Sequence, residues 1–275
     1  MLAPSPLRRF VRSVGTSTTP IVATADCGDV FLKLRTNPQG SRVLVADYVG
    51  TRCAQLLGLQ TFRMGIWSLS EDDRFIAAPD ASEDPSPALV TAAEHGTGWG
   101  GGDEGLRDAL NREDLAGLVV LDTWILNRDR FCPDPTFPRG ARVNAGNVFL
   151  AGSNPKALRI LAIDHGEAFR LSAAALTSKI SHIESVKSEE VRGMFPAFGP
   201  HVATAGIAKF VGALSKIKRT DLADVVAMLP AEWDADAQLR LDLTKFLDHR
   251  RDFLTDEMVG CGSRPELTRS AWYMA

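Results

Sequence analysis

The sequence predicts an α+β chain of two lobes, a small β-rich lobe over residues 1–104 and a larger helical lobe over 105–275. Three observations predict it. Residues 8–34 carry short apolar stretches of period two separated by turn residues. From about residue 115 the apolar positions recur at helical spacing. Between the two patterns, 70–105 is rich in Asp, Pro and Gly, which places the lobe boundary there.

Taken in order, the segments 10–14, 21–24 and 30–34 read as an antiparallel meander. A turn at Asn37-Pro38-Gln39-Gly40 follows, and Val43, Leu44, Ala46, Ala54 and Leu57 predict a helix over 42–57 with Gly58 as its C-cap. A strand is expected at 62–67. The stretch 70–105 reads as irregular, including the run His95-Gly96-Thr97-Gly98-Trp99-Gly100-Gly101-Gly102, which fits an active-site loop or an interlobe linker equally well. Leu115, Leu118, Val119, Asp122, Ile125 and Leu126 then predict a buried helix ending at Asn127. The segments 148–150 and 158–163 flank Gly152-Ser153-Asn154-Pro155, a hairpin signature. From about 171 the chain reads as helices, including a long one near 234–259 whose apolar side is Leu239, Leu243, Phe246, Leu247, Phe253 and Leu254.

Composition narrows the function classes. The chain is 45% hydrophobic and 24% charged with a net charge of −3, the balance of an ordinary globular protein. Phosphate-backbone binders carry a clustered basic excess, so no nucleic-acid partner is expected. Cys27, Cys53, Cys132 and Cys261 form no CxxC pair and no zinc spacing, which fits a reducing, cytoplasmic compartment. No apolar run approaches the roughly 18 residues of a membrane span, and no apolar stretch follows Arg8-Arg9, so neither insertion nor export is expected. His95, His182, His201 and His249 build no metal spacing and read as structural, and no histidine stands beside Cys132 in sequence to activate it.

Three features point to phosphoryl transfer, a reaction catalysed by positioning and charge stabilisation. Lys33 lies inside the apolar strand segment Val30-Phe31-Leu32-Lys33-Leu34, where its ammonium would reach phosphates with a helix acid beside it. Gly15, Thr16, Ser17 and Thr18, ahead of Pro20, form a small-residue turn whose amides and hydroxyls would cover phosphates. It is not a Walker A motif. Asn127-Arg128-Asp129-Arg130 closes a helix, Asn147 precedes a strand, and Ile163-Asp164-His165-Gly166 ends the hairpin. That order supplies a carboxylate for the acceptor hydroxyl and two hard oxygen donors for magnesium. The competing reading makes Asp129 a cap or a partner of Arg128 or Arg130, with Asn147 and Asp164 as turn formers.

Asp122-Thr123-Trp124-Ile125-Leu126-Asn127-Arg128-Asp129-Arg130, Asn147-Val148-Phe149-Leu150 and Ile163-Asp164-His165-Gly166-Glu167-Ala168-Phe169 together resemble the catalytic core of the HipA-like kinases, distant relatives of the phosphoinositide 3-kinases. The turn 15–20, Lys33, the helix from Asp47 to Gly58 and Leu229-Pro230-Ala231-Glu232-Trp233 extend the resemblance over most of the chain. It implies a two-lobed protein-kinase-like fold using ATP and Mg2+. Lys33 and Asp47 would serve the phosphates, Asp129 would be the base, and Asn147 and Asp164 would hold the metal. The acceptor would be a Ser or Thr hydroxyl of a protein, with a regulatory protein partner in view. A small-molecule or lipid acceptor, and an inactive kinase fold acting as a binding module, stay open. Three departures separate the chain from the family: Phe131 stands where a histidine is usual, the helix glutamate is shortened to Asp47, and an insert at 132–146 brings Asn144 into competition with Asn147.

Overall fold

The structure is a computed structural model that describes residues 1–134, 136–137, 140–170 and 186–260. The helical reading of 171–185, His182 and Cys261 lie outside the described residues.

Strands β1 (Leu7–Ser13), β2 (Ile21–Ala25) and β3 (Gly28–Lys33) form the expected meander, paired antiparallel. Side chains alternate along β3 because a strand has a period of two. Val30 and Leu32 are fully buried in the core of the first lobe, so Phe31 and Lys33 turn to the opposite face. Helix α1 (Arg42–Leu56) follows, and β4 (Met64–Trp67) returns to the sheet. Gly58, at φ 82°, takes the left-handed conformation just beyond α1 that a residue with a Cβ adopts reluctantly.

The stretch 70–105 is irregular only in part. It holds α2 (Glu71–Ala77), β5 (Ala88–Ala92) and β6 (Gly96–Gly98). Ser70 and Asp73 close a reciprocal capping box that starts α2. Strand β5 is central, in a five-stranded sheet of order β1-β2-β3-β5-β4, which explains why its residues are almost all buried. Between Ala92 and Gly96 the chain leaves that sheet, and β6 joins a second sheet of order β10-β9-β6, where β9 is Val148–Ala151 and β10 is Arg159–Ala162. Trp99 is not part of an open loop either, since it is 3% exposed and packs against Phe195 and Phe198.

Helix α3 (Asp114–Trp124) is buried at every position and stops short of Asn127. Leu126, at φ 53°, turns the chain instead, and the Asn127 N–H donates back to the Asp122 carbonyl at 2.9 Å. Strands β7 (Phe131–Pro133) and β8 (Ala141–Val143) pair antiparallel, so the described part of the 132–146 insert is a hairpin. Among the described residues, three further helices follow in the second lobe: α4 (Thr204–Leu214), α5 (Arg219–Ala227) and α6 (Ala237–Gly260). The Trp124 indole donates to the Leu247 carbonyl at 3.0 Å and so fixes α3 on α6.

The lobes are pinned together beside α1. Trp233, fully buried, donates its indole N–H to the Pro87 carbonyl at 2.8 Å and meets the edge of Tyr48 at 6.4 Å. The Ser41 hydroxyl, at the start of α1, donates to Asp234. These contacts hold one helix against both lobes, and the carboxylate of Asp47 is carried on it.

Candidate active site

A cavity of about 480 Å³ opens between the two sheets. Its apolar walls include Phe31, Leu89, Phe62 and Phe149, and its polar end holds Lys33, Asp47 and Asp164. An apolar slot ending in a few convergent charged groups is the usual form of a nucleotide or cofactor site. Gly96, also on the wall, is required by close approach: it sits at φ 154°, and a Cβ there would lie 2.3 Å from the Leu150 carbonyl oxygen.

Lys33 bridges the lobes. Its Nζ lies 2.7 Å from Asp47 Oδ2 and 2.9 Å from Asp164 Oδ1. Burial works against the ammonium charge, but Asp164 and Asp47 outweigh it and hold the lysine pKa above its ordinary value. Lys33 in turn draws the Asp164 carboxyl below its usual range against the opposing effect of burial. The short side chain of Asp47 reaches the lysine, and its Oδ1 also accepts the His165 N–H at 2.9 Å. Asp47 is therefore a clamp between β3 and the turn after β10. Asp164 occupies the left-handed region at φ 54°, an unusual conformation for a residue with a Cβ that aims its side chain out of the turn. His165 is completely buried, close against α1 at Gly50, where a Cβ would stand 2.4 Å from that of His165. Burial, and then the Arg130 charge, depress its pKa well below the ordinary histidine value, so its ring is neutral at pH 7.

Asp129 does not pair with Arg128 or Arg130. Arg128 approaches Asp134 at 3.7 Å, and Arg130 is ion-paired with Asp122 in the interior. Asp129 instead accepts from the Asn147 amide at 2.7 Å and receives a weaker approach from Asn144 at 3.3 Å, both through Oδ2. Its Oδ1 meets Arg142 of the insert at 2.9 Å. The spacing between Asp129 and Asn147 is thus bridged in space.

Arg130, which the sequence reading treated only as a neighbour, organises this region. Its fully buried guanidinium pairs with Asp122, donates from Nε to the Asn147 carbonyl at 3.2 Å and from Nη2 to the Ile163 carbonyl at 2.9 Å. One planar fork thereby holds the backbone of Asn147 and of the residue before Asp164 together.

The turn Gly15 to Thr18 is not on the cavity wall, where Arg12 and Pro20 stand instead. Gly15, Thr16 and Ser17 are exposed, and the turn closes on itself through Thr16 N–H to the Val14 carbonyl at 2.8 Å and Thr19 N–H to the Thr16 carbonyl at 3.0 Å. Of the other singled-out residues, His95 and His249 are exposed and His201 contacts Asp103 at 2.5 Å. Cys132 hydrogen-bonds Glu190 at 3.0 Å, and burial together with that carboxyl raises its thiol pKa, the opposite of a nucleophile's need.

The donor set suits a magnesium-nucleotide better than a dedicated protein cage. Magnesium keeps waters and phosphate oxygens and takes one or two protein ligands. Among the described residues no cluster of three His, Cys, Asp or Glu side chains is present. Asn147 spends its amide nitrogen on Asp129 and leaves its carbonyl oxygen for a cation, and Asp164 spends Oδ1 on Lys33 and leaves Oδ2.

A β-sheet lobe with one clamping helix, a helical lobe and a cleft holding Lys33, Asp47 and Asp164 together define a kinase-like fold. The proinflammatory kinase CtkA of Helicobacter pylori has this fold, with a TM-score of 0.55, 13% sequence identity, and 90% of this chain and 93% of that chain covered. No family model matches the sequence, and no curated protein matches it. No helix among the described residues is long and apolar enough to cross a membrane.

Proposed function

We propose that the chain is an ATP- and magnesium-dependent phosphotransferase of the HipA-like kind, acting on a Ser or Thr hydroxyl of a protein. The observation that carries this reading is the bridge of Lys33 to Asp47 and Asp164 at the polar end of an apolar cleft. In this reading the adenine occupies the apolar part of the cleft, and Lys33, held charged by two carboxylates, meets the phosphates. Asn147 and Asp164 would hold magnesium, which when bound neutralises charge on the transferring phosphoryl group.

Asp129 orients the acceptor hydroxyl and takes its proton as the oxygen closes on the γ-phosphorus. The bond from that phosphorus to the β,γ-bridging oxygen breaks and ADP leaves. Arg130 supports both ends of the reaction by fixing the backbone that carries Asn147 and Asp164. Arg12, on the cleft wall, is a further cation for the phosphate tail.

Incubation of the purified chain with magnesium and ATP, followed by intact-mass analysis and a measurement of ADP release, tests the reading. Magnesium-dependent ADP release is expected, with mass increments of one phosphoryl group if the chain modifies itself. Absence of both nucleotide binding and ADP release would contradict it and leave a kinase fold that serves as a binding module.

A further inference from the structure

The insert between Asp129 and Asn147 delivers a cation to the base. Arg142, on β8, places Nη2 at 2.9 Å from Asp129 Oδ1 and Nη1 at 3.8 Å from Glu167 Oε2. The other oxygen of Asp129 is engaged by Asn147 at 2.7 Å. The oxygen under Arg142 is therefore the one left to receive an acceptor proton, and an acceptor hydroxyl must take the place of the guanidinium. Arg142 is 37% and Asp129 16% exposed, so the pair is open on the arginine side, and separating it costs at least the factor of about five in occupancy at the upper end for surface pairs. Once displaced, it keeps only the contact to Glu167, which at 3.8 Å is beyond hydrogen-bond reach. Of the buried cations nearby, Lys33 is engaged by Asp47 and Asp164 and Arg130 by Asp122, while Arg128 turns away to Asp134.

We propose that Arg142 selects the acceptor, turning from Asp129 to a carboxylate beside the reacting hydroxyl, so that Ser or Thr segments with an adjacent acidic side chain are preferred. This rests on the phosphotransferase reading and names its acceptor class. A planar guanidinium recognises a carboxylate through two parallel hydrogen bonds, a geometry water does not reproduce. The insert is the right vehicle, since its paired strands, Phe131–Pro133 and Ala141–Val143, start two residues after Asp129 and end four residues before Asn147. Paired with Asp129, Arg142 shields the base, and Glu167 lies beside it at 3.8 Å.

The test uses the full chain and two fluorescent peptides, a serine peptide with Glu on both sides of the serine and its counterpart with Gln. Anisotropy gives their affinities without turnover, and calorimetry on the same proteins gives the affinity for magnesium-ATP. The parent chain is expected to bind the Glu peptide about tenfold more tightly than the Gln peptide, the worth of one charge-assisted contact. Arg142→Gln should bind both peptides equally with magnesium-ATP affinity unchanged, and Arg142→Lys should keep part of the preference. Equal binding of the two peptides by the parent, or a preference retained in Arg142→Gln, overturns the proposal. If the parent discriminates the peptides through Arg142 yet fails to bind magnesium-ATP, Arg142 stands as a reader of acidic segments in a binding module and the phosphotransferase reading falls.

Discussion

Replacing Arg130 with lysine removes a fork and keeps a charge, and the structure says what that should cost. The guanidinium makes three contacts at once, to Asp122, to the Asn147 carbonyl at 3.2 Å and to the Ile163 carbonyl at 2.9 Å, with no solvent exposure. An ammonium is a point donor that keeps the ion pair but cannot span both carbonyls. Two buried carbonyls then lose a charged donor, a loss on the order of 3 kcal/mol and near the lower end for disrupting a buried ion pair. For a chain of this size that corresponds to a melting temperature lower by roughly 5 to 10 °C. Because total stability is about 5–15 kcal/mol, the variant should still fold. Differential scanning calorimetry, with magnesium-ATP affinity measured well below the transition, checks both consequences. Affinity should fall together with stability, since Asn147 and Asp164 lose a shared anchor. A melting temperature within about 2 °C of the parent, with affinity unchanged, would refute the organising role of Arg130.

Asp164→Asn should lower magnesium-dependent ADP release by about a hundredfold or more, and Asp47→Ala by less, because a lost metal ligand removes charge stabilisation whereas the clamp only positions Lys33. Equal losses in a steady-state assay would reverse that ranking. His165 is neutral in the folded chain, while in the unfolded chain it titrates near the usual histidine value of about 6.5. Below that pH the unfolded state binds a proton the folded state refuses, so stability should fall as pH falls, by about 1.4 kcal/mol between pH 7.5 and 5.5. That loss should be absent from His165→Phe in urea titrations at the two pH values. The carboxyl of Asp164, depressed by Lys33, contributes stability lost only as pH falls through its folded pKa, below this window, while burial raises the Asp114 and Asp122 carboxyls and moves stability the other way, so the comparison with His165→Phe is what isolates the histidine.

The parts of the fold legible in the sequence are those whose signal is local. The meander shows in the alternation around Val30 and Leu32, α1 in the spacing of Val43 to Leu57, and the β9–β10 hairpin in its turn residues. The stretch 70–105 hid three elements for three different reasons. Helix α2 carried a legible start in Ser70 and Asp73, which the surrounding Asp and Pro residues obscured. Strand β5 is a short apolar run with no alternation, because a central strand is buried on both faces. Strand β6, Gly96–Gly98, has no local preference at all and exists through its pairing with β9.

At the site, order along the chain pointed to Lys33, Asp47 and Asp164, which the fold brings to one end of the cleft through contacts as remote in sequence as Lys33 to Asp164, and to Asp129 and Asn147, which it pairs with each other off the cavity wall. What order could not show was which arginine each aspartate meets. Asp129 stands between Arg128 and Arg130 yet pairs with Arg142, while Arg130 reaches back to Asp122 at the far side of the helix end. Adjacent residues diverge at such a turn, and only the path of the hairpin 131–143 decides who returns to the carboxylate. The turn Gly15 to Thr18, chosen for its composition, lies off the cavity wall, where the flanking Arg12 stands, because small residues report conformational freedom rather than position.

Asp129→Asn tests the central claim most directly. The substitution keeps the size of the side chain and removes its charge and proton acceptor, so the hydrogen-bonded frame around Asn147 is disturbed least. Calorimetry on this variant should give a magnesium-ATP affinity within about twofold of the parent, while phosphoryl transfer to acceptor falls by about a hundredfold or more, the usual worth of a general base. Transfer at the parent's rate would contradict the account and make Asp129 a structural cap of the Asn127–Arg130 turn.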